Sequence, residues 1–247
     1  MAKGDKIIVA LDVNDLEEME NLIDKLRAVV KIFKIGSELF TSCGVRAVDI
    51  VRRKGGRVFL DLKYHDIPNT VAKASKAAAK QGIHMFTVHA MGGLEMMKAS
   101  VKAAREEAER LGSVPPIILG ITVLTSLNSK DIQAVGMDRT VNEQVIKLVK
   151  LAEKAGLDGV VASPKEAPEI RKHVRKDFLI VTPGIRPSWS MKRDQKRVAE
   201  PKEAIELGAD YLVIGRPITA QEDPKAAAER IANEIYVGTG RDLSDYI

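Results

Sequence analysis

Charged side chains interrupt two of the most apolar segments of the chain. Lys34 lies inside residues 32–36, and Asp61 and Lys63 lie in residues 57–63. Alternate residues of a strand share a face, so Asp61 and Lys63 are predicted to point the same way. An unpaired buried ammonium is costly, so Lys34 needs a carboxylate, and we expect the third strand to supply it through Asp61. Carboxylates keep a lysine charged, which suits it to electrostatic stabilisation and proton donation.

Two further carboxylates are placed to join this array. Asp12 closes the first apolar run, and Asp66 lies in a turn shortly before Pro68, which can begin a helix. Taken singly, such residues often cap helices or reach solvent. Buried ion pairs, however, can often be replaced by apolar residues without loss of stability, so an alternating array of lysine and aspartate favours chemistry over structure.

A second group of residues has the character of an anion site. Residues 181–187 and 213–217 end two late apolar runs, and Gly215 and Arg216 lie in the second of them. Glycine lets a backbone approach an anion closely, and arginine can bind it with two hydrogen bonds. Residues 183–197 form the one long segment without apolar periodicity, which is typical of a functional loop.

These residues need a scaffold that brings strand ends together. Short apolar runs predict eight strands, at residues 6–11, 32–36, 57–62, 84–89, 117–122, 159–162, 178–181 and 211–214. Segments rich in Ala, Lys and Glu predict helices between them, at residues 15–30, 70–81, 92–111, 140–155 and 201–207. Continuous apolar strands indicate a parallel sheet covered on both faces.

Eight strand–helix units in 247 residues predict an α/β fold, a (β/α)8 TIM barrel, with residues 1–247 as a single domain. A doubly wound open sheet is the alternative. In such barrels the chemistry lies at the carboxyl ends of the strands, which is where the polar residues described above are predicted to lie.

Composition excludes several classes of protein. The balance of 39 Lys and Arg against 34 Asp and Glu gives a net charge of +5, but the charges are mixed and aromatics make up only 4%. We therefore expect no nucleic-acid partner. The longest apolar segment, residues 115–124, falls far short of the ~18 residues of a membrane helix, so no membrane association is expected. A lone cysteine, Cys43, cannot form an intrachain disulfide, which favours a cytoplasmic location.

No cofactor is predicted. The four histidines show no metal-ligand spacing, and no nucleotide-binding fingerprint or Walker motif is present. His89 ends a predicted strand, where it either lines a pocket or is a satisfied core histidine.

Residues 61–70, with the sequence DLKYHDIPNT, resemble the D-x-K-x-H-D-I-P-N-T signature of the orotidine 5′-phosphate decarboxylases. The resemblance covers nearly the whole chain. Further matching positions are residues 10–12, 33–36, 124–126, 182–186, Gln195 and 214–216.

The resemblance implies a homodimer that converts orotidine 5′-monophosphate to UMP and CO2, the last step of UMP biosynthesis, without metal or organic cofactor. It implies that Lys63 is the proton donor and that Asp61, Lys34 and Asp66 complete a network around it. Asp66 and Thr70 would come from the neighbouring subunit.

Substrate contacts are also implied by the resemblance. Asp12 and Lys34 would hold ribose hydroxyls, and Thr125 and Ser126 would contact the pyrimidine. Phosphate contacts would come from Arg186, Gln195, Gly215 and Arg216. Further substrate-binding positions are Asp61, Ile67, Thr70 and Pro183.

Two other functions remain open. Hexulose-phosphate synthases and keto-gulonate-phosphate decarboxylases of the same barrel group share an Asp-x-Lys-x-x-Asp core and use Mg²⁺. A catalytically silent phosphate-binding barrel is the second alternative. The H-D-I-P-N-T continuation and the loop containing Gln195 favour the pyrimidine enzyme over both.

Overall fold

Eight parallel strands close into a barrel in the computed structural model, which describes residues 4–190 and 199–238. The strands are β1 (Ile7–Ala10), β2 (Ile32–Gly36), β3 (Arg57–Tyr64), β4 (Met85–His89), β5 (Ile117–Ile121), β6 (Gly159–Val161), β7 (Leu179–Thr182) and β8 (Tyr211–Ile214). Each strand pairs with its neighbours in sequence, and β8 closes on β1. The predicted (β/α)8 architecture is confirmed, and the open sheet is excluded.

Helices cover the outside of the barrel. They are α1 (Leu16–Leu26), α2 (Ser37–Cys43), α3 (Val45–Arg53), α4 (Pro68–Lys80), α5 (Gly93–Arg110), α6 (Ser129–Ala134), α7 (Val141–Lys154), α8 (Ala167–Arg171), α9 (Pro201–Glu206), α10 (Arg216–Thr219) and α11 (Pro224–Gly238). The sequence predicted five of these segments. None of the helices within the described ranges is long and apolar enough to cross a bilayer.

Local sequence signals explain where several helices begin. Asp15 caps α1 by accepting a hydrogen bond from the Glu18 amide at 2.8 Å. Thr140 and Glu143 form a capping box at the start of α7. Pro68 occupies the first turn of α4, where its missing N–H costs nothing.

The lower half of the barrel interior is an apolar plug. One buried cluster consists of Ile8, Ile32, Phe59, Met85, Leu119 and Val181. The next residues on the same face are polar: Lys34 follows Ile32, Asp61 follows Phe59 and Thr87 follows Met85, each two residues further along its strand. The plug therefore supports a polar layer at the carboxyl ends of the strands.

Candidate active site

Two lysine–aspartate pairs lie in this polar layer. The Lys63 ammonium contacts Asp61 Oδ2 at 2.9 Å, and the Lys34 ammonium contacts Asp12 Oδ1 at 3.2 Å. The expectation that the third strand supplies the partner of Lys34 is therefore wrong. Strand register does not separate the two carboxylates, because Asp12 and Asp61 each lie two residues beyond a partner of Lys34 in the neighbouring strand. The Asp61 carboxylate is instead engaged by Lys63 and Thr87.

The Lys34 side chain is confined by small neighbours. It is 9% exposed, and a Cβ placed on Gly36 would stand 2.9 Å from its ammonium nitrogen. A Cβ on Gly215 would stand 3.4 Å from Asp12 Oδ2. Glycine at position 36 thus leaves the space that the buried ammonium occupies.

The Lys63 backbone is strained. Its φ is 53°, and among the described residues no other non-glycine residue has a positive φ. The pairing of β3 with β4 shifts register between Leu60 and Tyr64, so a bulge carries Lys63. A left-handed conformation costs a non-glycine residue roughly 1–2 kcal/mol, and such strain clusters at functional sites. Asp61 and Lys63 nevertheless share a face, as the strand period predicted.

Thr87 on β4 connects the pair to the barrel wall. Its buried hydroxyl donates a hydrogen bond to Asp61 Oδ1 at 2.9 Å and accepts one from the Lys63 backbone amide at 2.9 Å. One side chain thus fixes both the carboxylate and the bulged backbone. Thr87 was not predicted as a site residue, although the alternation of β4 would have placed it inside the barrel.

Asp66 lies apart from both lysines of its own chain. The turn that carries it, together with Ile67 and Thr70 at the start of α4, is exposed, and Ile67 is 66% exposed. Asp66 Oδ1 accepts a hydrogen bond from the Ile67 amide at 2.6 Å. Among the described residues no ion pair joins Asp66 to Lys63 or Lys34, so the four-residue array is not assembled within one chain.

His89 ends β4 beside this turn and is half-buried. Its ring stacks on His65 with a centroid distance of 5.0 Å and an angle of 23°. Burial, reinforced by the neighbouring His65 and Lys63, lowers the pKa of His89 to about 4. The ring is therefore neutral near pH 7.

The predicted anion-binding residues lie at the same end of the barrel. Gly215 precedes α10, and the exposed Arg216 begins it. Arg186 follows β7, where its backbone amide donates to the Ala199 carbonyl at 3.0 Å. Gln195 lies outside the described residues.

A cavity of about 460 Å³ opens between the ends of β5, β6 and β7. Thr125 and Pro183 line it together with Ser163 and Asn142, whereas Ser126, which is exposed, does not. The structure therefore brings Thr125 and Pro183 together at the carboxyl edge of the barrel that also carries the two lysine–aspartate pairs.

The donor set does not fit a divalent cation closely. Asp12 and Asp61 each face an ammonium group, which opposes a second positive charge. The described ranges, 4–190 and 199–238, contain no cluster of three or more His, Cys, Asp or Glu placed to hold a metal ion. The arrangement instead places the Lys63 ammonium beside Asp61 at the carboxyl edge of the barrel.

Comparison with known proteins gives a consistent result. Residues 5–231 match the family described as Orotidine 5'-phosphate decarboxylase / HUMPS. An orotidine 5'-phosphate decarboxylase of Moorella thermoacetica is 54% identical over 236 residues, which cover 95% of this chain and 94% of that protein. One of Geotalea uraniireducens is 52% identical over 235 residues, covering 95% and 97% of the two chains.

Solved structures agree. The crystal structure of orotidine 5'-phosphate decarboxylase from Lactobacillus acidophilus has a TM-score of 0.83 and 39% identity, covering 94% of this chain and 99% of that one. An uncharacterised conserved protein from Geobacillus kaustophilus has a TM-score of 0.82 and 34% identity, covering 93% and 99%. Family match, sequence identity and fold together show that this chain belongs to the orotidine 5'-phosphate decarboxylase / HUMPS family.

Proposed function

We propose that this chain decarboxylates orotidine 5′-monophosphate to UMP and CO2, the last step of UMP biosynthesis. The observation that carries the proposal is the contact of 2.9 Å between the Lys63 ammonium and Asp61, above the buried apolar plug. Relatives that cover nearly the whole chain at about half identity are named orotidine 5'-phosphate decarboxylases.

The chemistry explains why a lysine is needed. Breaking the bond between C6 and the carboxylate leaves the electron pair on C6 in the plane of the pyrimidine ring, where the π system cannot delocalise it. The Lys63 ammonium opposes this charge and then transfers a proton to C6, so that UMP and CO2 form. The neutral amine regains its proton from solvent, and Asp61 favours the charged form.

The remaining residues bind and orient the substrate in this proposal. Asp12 and Lys34 hold ribose hydroxyls, and Thr125 and Ser126 contact the pyrimidine. Gly215, Arg216, Arg186 and Gln195 take the phosphate, with Asp61, Ile67, Thr70 and Pro183 as further contacts. Phosphate lies far from the bond that breaks, but its binding energy can be used to position the reacting carbon.

We also propose a cytoplasmic homodimer. Asp66 and Thr70 are exposed and lie away from the lysines of their own chain, and the apolar Ile67 between them is 66% exposed. A second copy of the chain that covers this turn would bury Ile67 and complete the lysine–aspartate array with its own Asp66.

The alternative within the same family is a Mg²⁺-dependent sugar-phosphate enzyme. It is favoured by the shared Asp-x-Lys-x-x-Asp core at residues 61–66. The pairing of Asp12 and Asp61 with ammonium groups favours the decarboxylase instead. A silent phosphate-binding barrel does not explain why Lys63 has a strained backbone.

One assay separates these functions. Purified protein is incubated with orotidine 5′-monophosphate in excess chelator, the ultraviolet absorbance is followed, and the product is identified by chromatography. We expect stoichiometric UMP and CO2. Turnover of a hexulose or gulonate phosphate only after Mg²⁺ is added would establish the alternative, and binding of UMP without turnover of any substrate would indicate a silent barrel.

A further inference from the structure

His65 joins the exposed turn to the body of the barrel. It lies between Tyr64, the last residue of β3, and Asp66. Its ring stacks on His89, and a Cβ placed on Gly92 would come within 3.3 Å of His65 Cδ2. The end of β4 and the glycine that follows it therefore form the surface against which the His65 ring packs.

The partner ring is itself held in place. His89 Nδ1 accepts a hydrogen bond of 3.4 Å from the Met91 backbone amide, which fixes the proton on the other ring nitrogen. Because burial beside His65 and Lys63 keeps its pKa near 4, His89 brings no charge to the stack at neutral pH. Two cationic rings would repel each other, whereas a neutral ring accepts either form of His65.

The turn that follows His65 is exposed. Residues 65–70 are exposed, and the Asp66 carboxylate bonds to the amide of the adjacent Ile67. This bond orients the carboxylate relative to the turn but does not orient the turn relative to the barrel. The turn is attached to the barrel at two ends. At one end the Ile67 carbonyl accepts hydrogen bonds from the Thr70 and Val71 amides of α4 at 3.0 and 3.2 Å, and at the other end His65 follows β3. His65 is therefore the attachment on the β3 side, one residue from Asp66.

We propose that His65 is a positioning residue that acts across the dimer: by stacking on His89, it aims Asp66 into the active site of the neighbouring subunit. The inference rests on the proposed function, in which Asp66 completes that site. His65 contacts neither the substrate nor Lys63 of its own chain in this account. Its effect on catalysis is therefore exerted on the site of the other subunit.

Homodimeric variants give the first readout. His65→Ala removes the stacked ring, and we expect kcat to fall on the order of 10- to 100-fold, because small misplacements at a reacting centre have effects of that size. His65→Phe keeps a planar ring of similar size, and kcat should stay within about threefold of wild type. Lys80→Ala, at the exposed end of helix α4, which follows the turn, is the control and should leave kcat unchanged.

Mixed dimers then decide which site His65 serves. A Lys63→Ala chain and a His65→Ala chain carry different tags, and the doubly tagged dimer is purified. One of its sites combines the intact Lys63 of the second chain with the intact His65 and Asp66 of the first. We expect this dimer to regain about half of the wild-type activity. If His65 acts on its own chain's site, activity stays at about half of the low level of the His65→Ala homodimer, because only one site retains Lys63.

A reference dimer separates failure of this inference from failure of the proposed function. Lys63→Ala is paired in the same way with Asp66→Asn, and half of the wild-type activity should return. No recovery in the reference dimer would overturn the contribution of Asp66 across the dimer and the role of His65 with it. Recovery with Asp66→Asn but not with His65→Ala would overturn the role of His65 alone, as would full activity of the His65→Ala homodimer.

Discussion

The hydroxyl of Thr87 has two partners, and both belong to the proposed catalytic pair. It donates to Asp61 and accepts from the amide of Lys63, each at 2.9 Å. Thr87→Val keeps the shape but leaves a carboxylate oxygen and an amide without a partner, at a cost of roughly 1–3 kcal/mol each. We expect a lower urea midpoint and a lower kcat, with Thr87→Ser close to wild type. Unchanged kcat in Thr87→Val would show that Asp61 and Lys63 are positioned by other contacts.

Arg216 carries a separate prediction, because it serves binding and not chemistry in the proposed function. It is exposed at the start of α10. Loss of a charge-assisted hydrogen bond costs about 1.5–3 kcal/mol, so Arg216→Ala should raise KM roughly 10- to 100-fold. Arg216→Lys should recover only part of this, since lysine does not bind phosphate with two parallel bonds. Steady-state kinetics that show an unchanged KM would remove Arg216 from the phosphate site.

The charged part of the site was predictable from sequence, and the neutral part was not. A lysine and an aspartate inside apolar runs are conspicuous, and strand alternation correctly placed Asp61 and Lys63 on one face. The alternation of β4 places Thr87 inside the barrel, but its hydroxyl is not conspicuous as a site residue, because hydroxyls are common in strands. The partner of Lys34 was predicted wrongly. Strand register places Asp12 and Asp61 alike beside Lys34, and the contacts of Asp61 with Lys63 and Thr87, which the sequence does not specify, decide between them.

Helices α4 and α5 are joined through a buried carboxylate. Glu107 on α5 is 2% exposed, receives two hydrogen bonds from Arg110 at 2.7 and 2.9 Å, and lies 3.5 Å from Lys76 on α4. The hydrogen bonds from Arg110 are the main cause that lowers the pKa of Glu107 to about 2 from its ordinary 4.5.

This pairing predicts a pH-dependent contribution to stability. The folded state holds the charged form, so the contribution is complete above pH 4.5 and is lost as the pH falls toward 2. Glu107→Gln should therefore lower the urea midpoint at pH 7, and its difference from wild type should shrink between pH 4.5 and pH 2. Glu106→Gln, at an exposed neighbour that lies 3.8 Å from Lys102, is the control. A difference that stays constant with pH would contradict the account.

The elements themselves were predicted unevenly. All eight strands were found because parallel strands buried on both faces give continuous apolar runs. Six of the eleven helices in the described residues were not predicted, and α2 and α3 are two of them. The first has only seven residues and includes Ser37, Thr41 and Ser42, which favour helices weakly. The bulge in β3 also escaped prediction, because no glycine or proline marks it.

For the whole molecule, the single barrel supplies an incomplete array. Asp66 and Thr70 are exposed, and Lys34 and Lys63 pair with Asp12 and Asp61, so the proposed activity requires two copies. We expect specific activity to fall on dilution through the dissociation constant of the dimer, in step with the dimer fraction measured by sedimentation. Constant specific activity in samples that sediment as monomers would contradict a shared site.

The barrel follows from the sequence, whereas the proposed contribution of Asp66 to a neighbouring subunit does not. Strand number and order are properties of one chain, and the carboxyl edge collects polar residues wherever strands end. A residue that acts in another copy leaves only an exposed carboxylate in its own chain, which is indistinguishable from ordinary surface. The prediction that residues 1–247 form one domain stays a prediction.

In the proposed function Lys63, held by Asp61, supplies the proton to C6. The most direct test is the rate of UMP formation by Lys63→Ala at saturating orotidine 5′-monophosphate in chelator, with UMP affinity measured in parallel. Loss of a positioned general acid predicts a fall in kcat of roughly 10²- to 10⁴-fold, with UMP affinity close to wild type. A variant that turns over within a few-fold of wild type would contradict the claim and assign the protonation to another group.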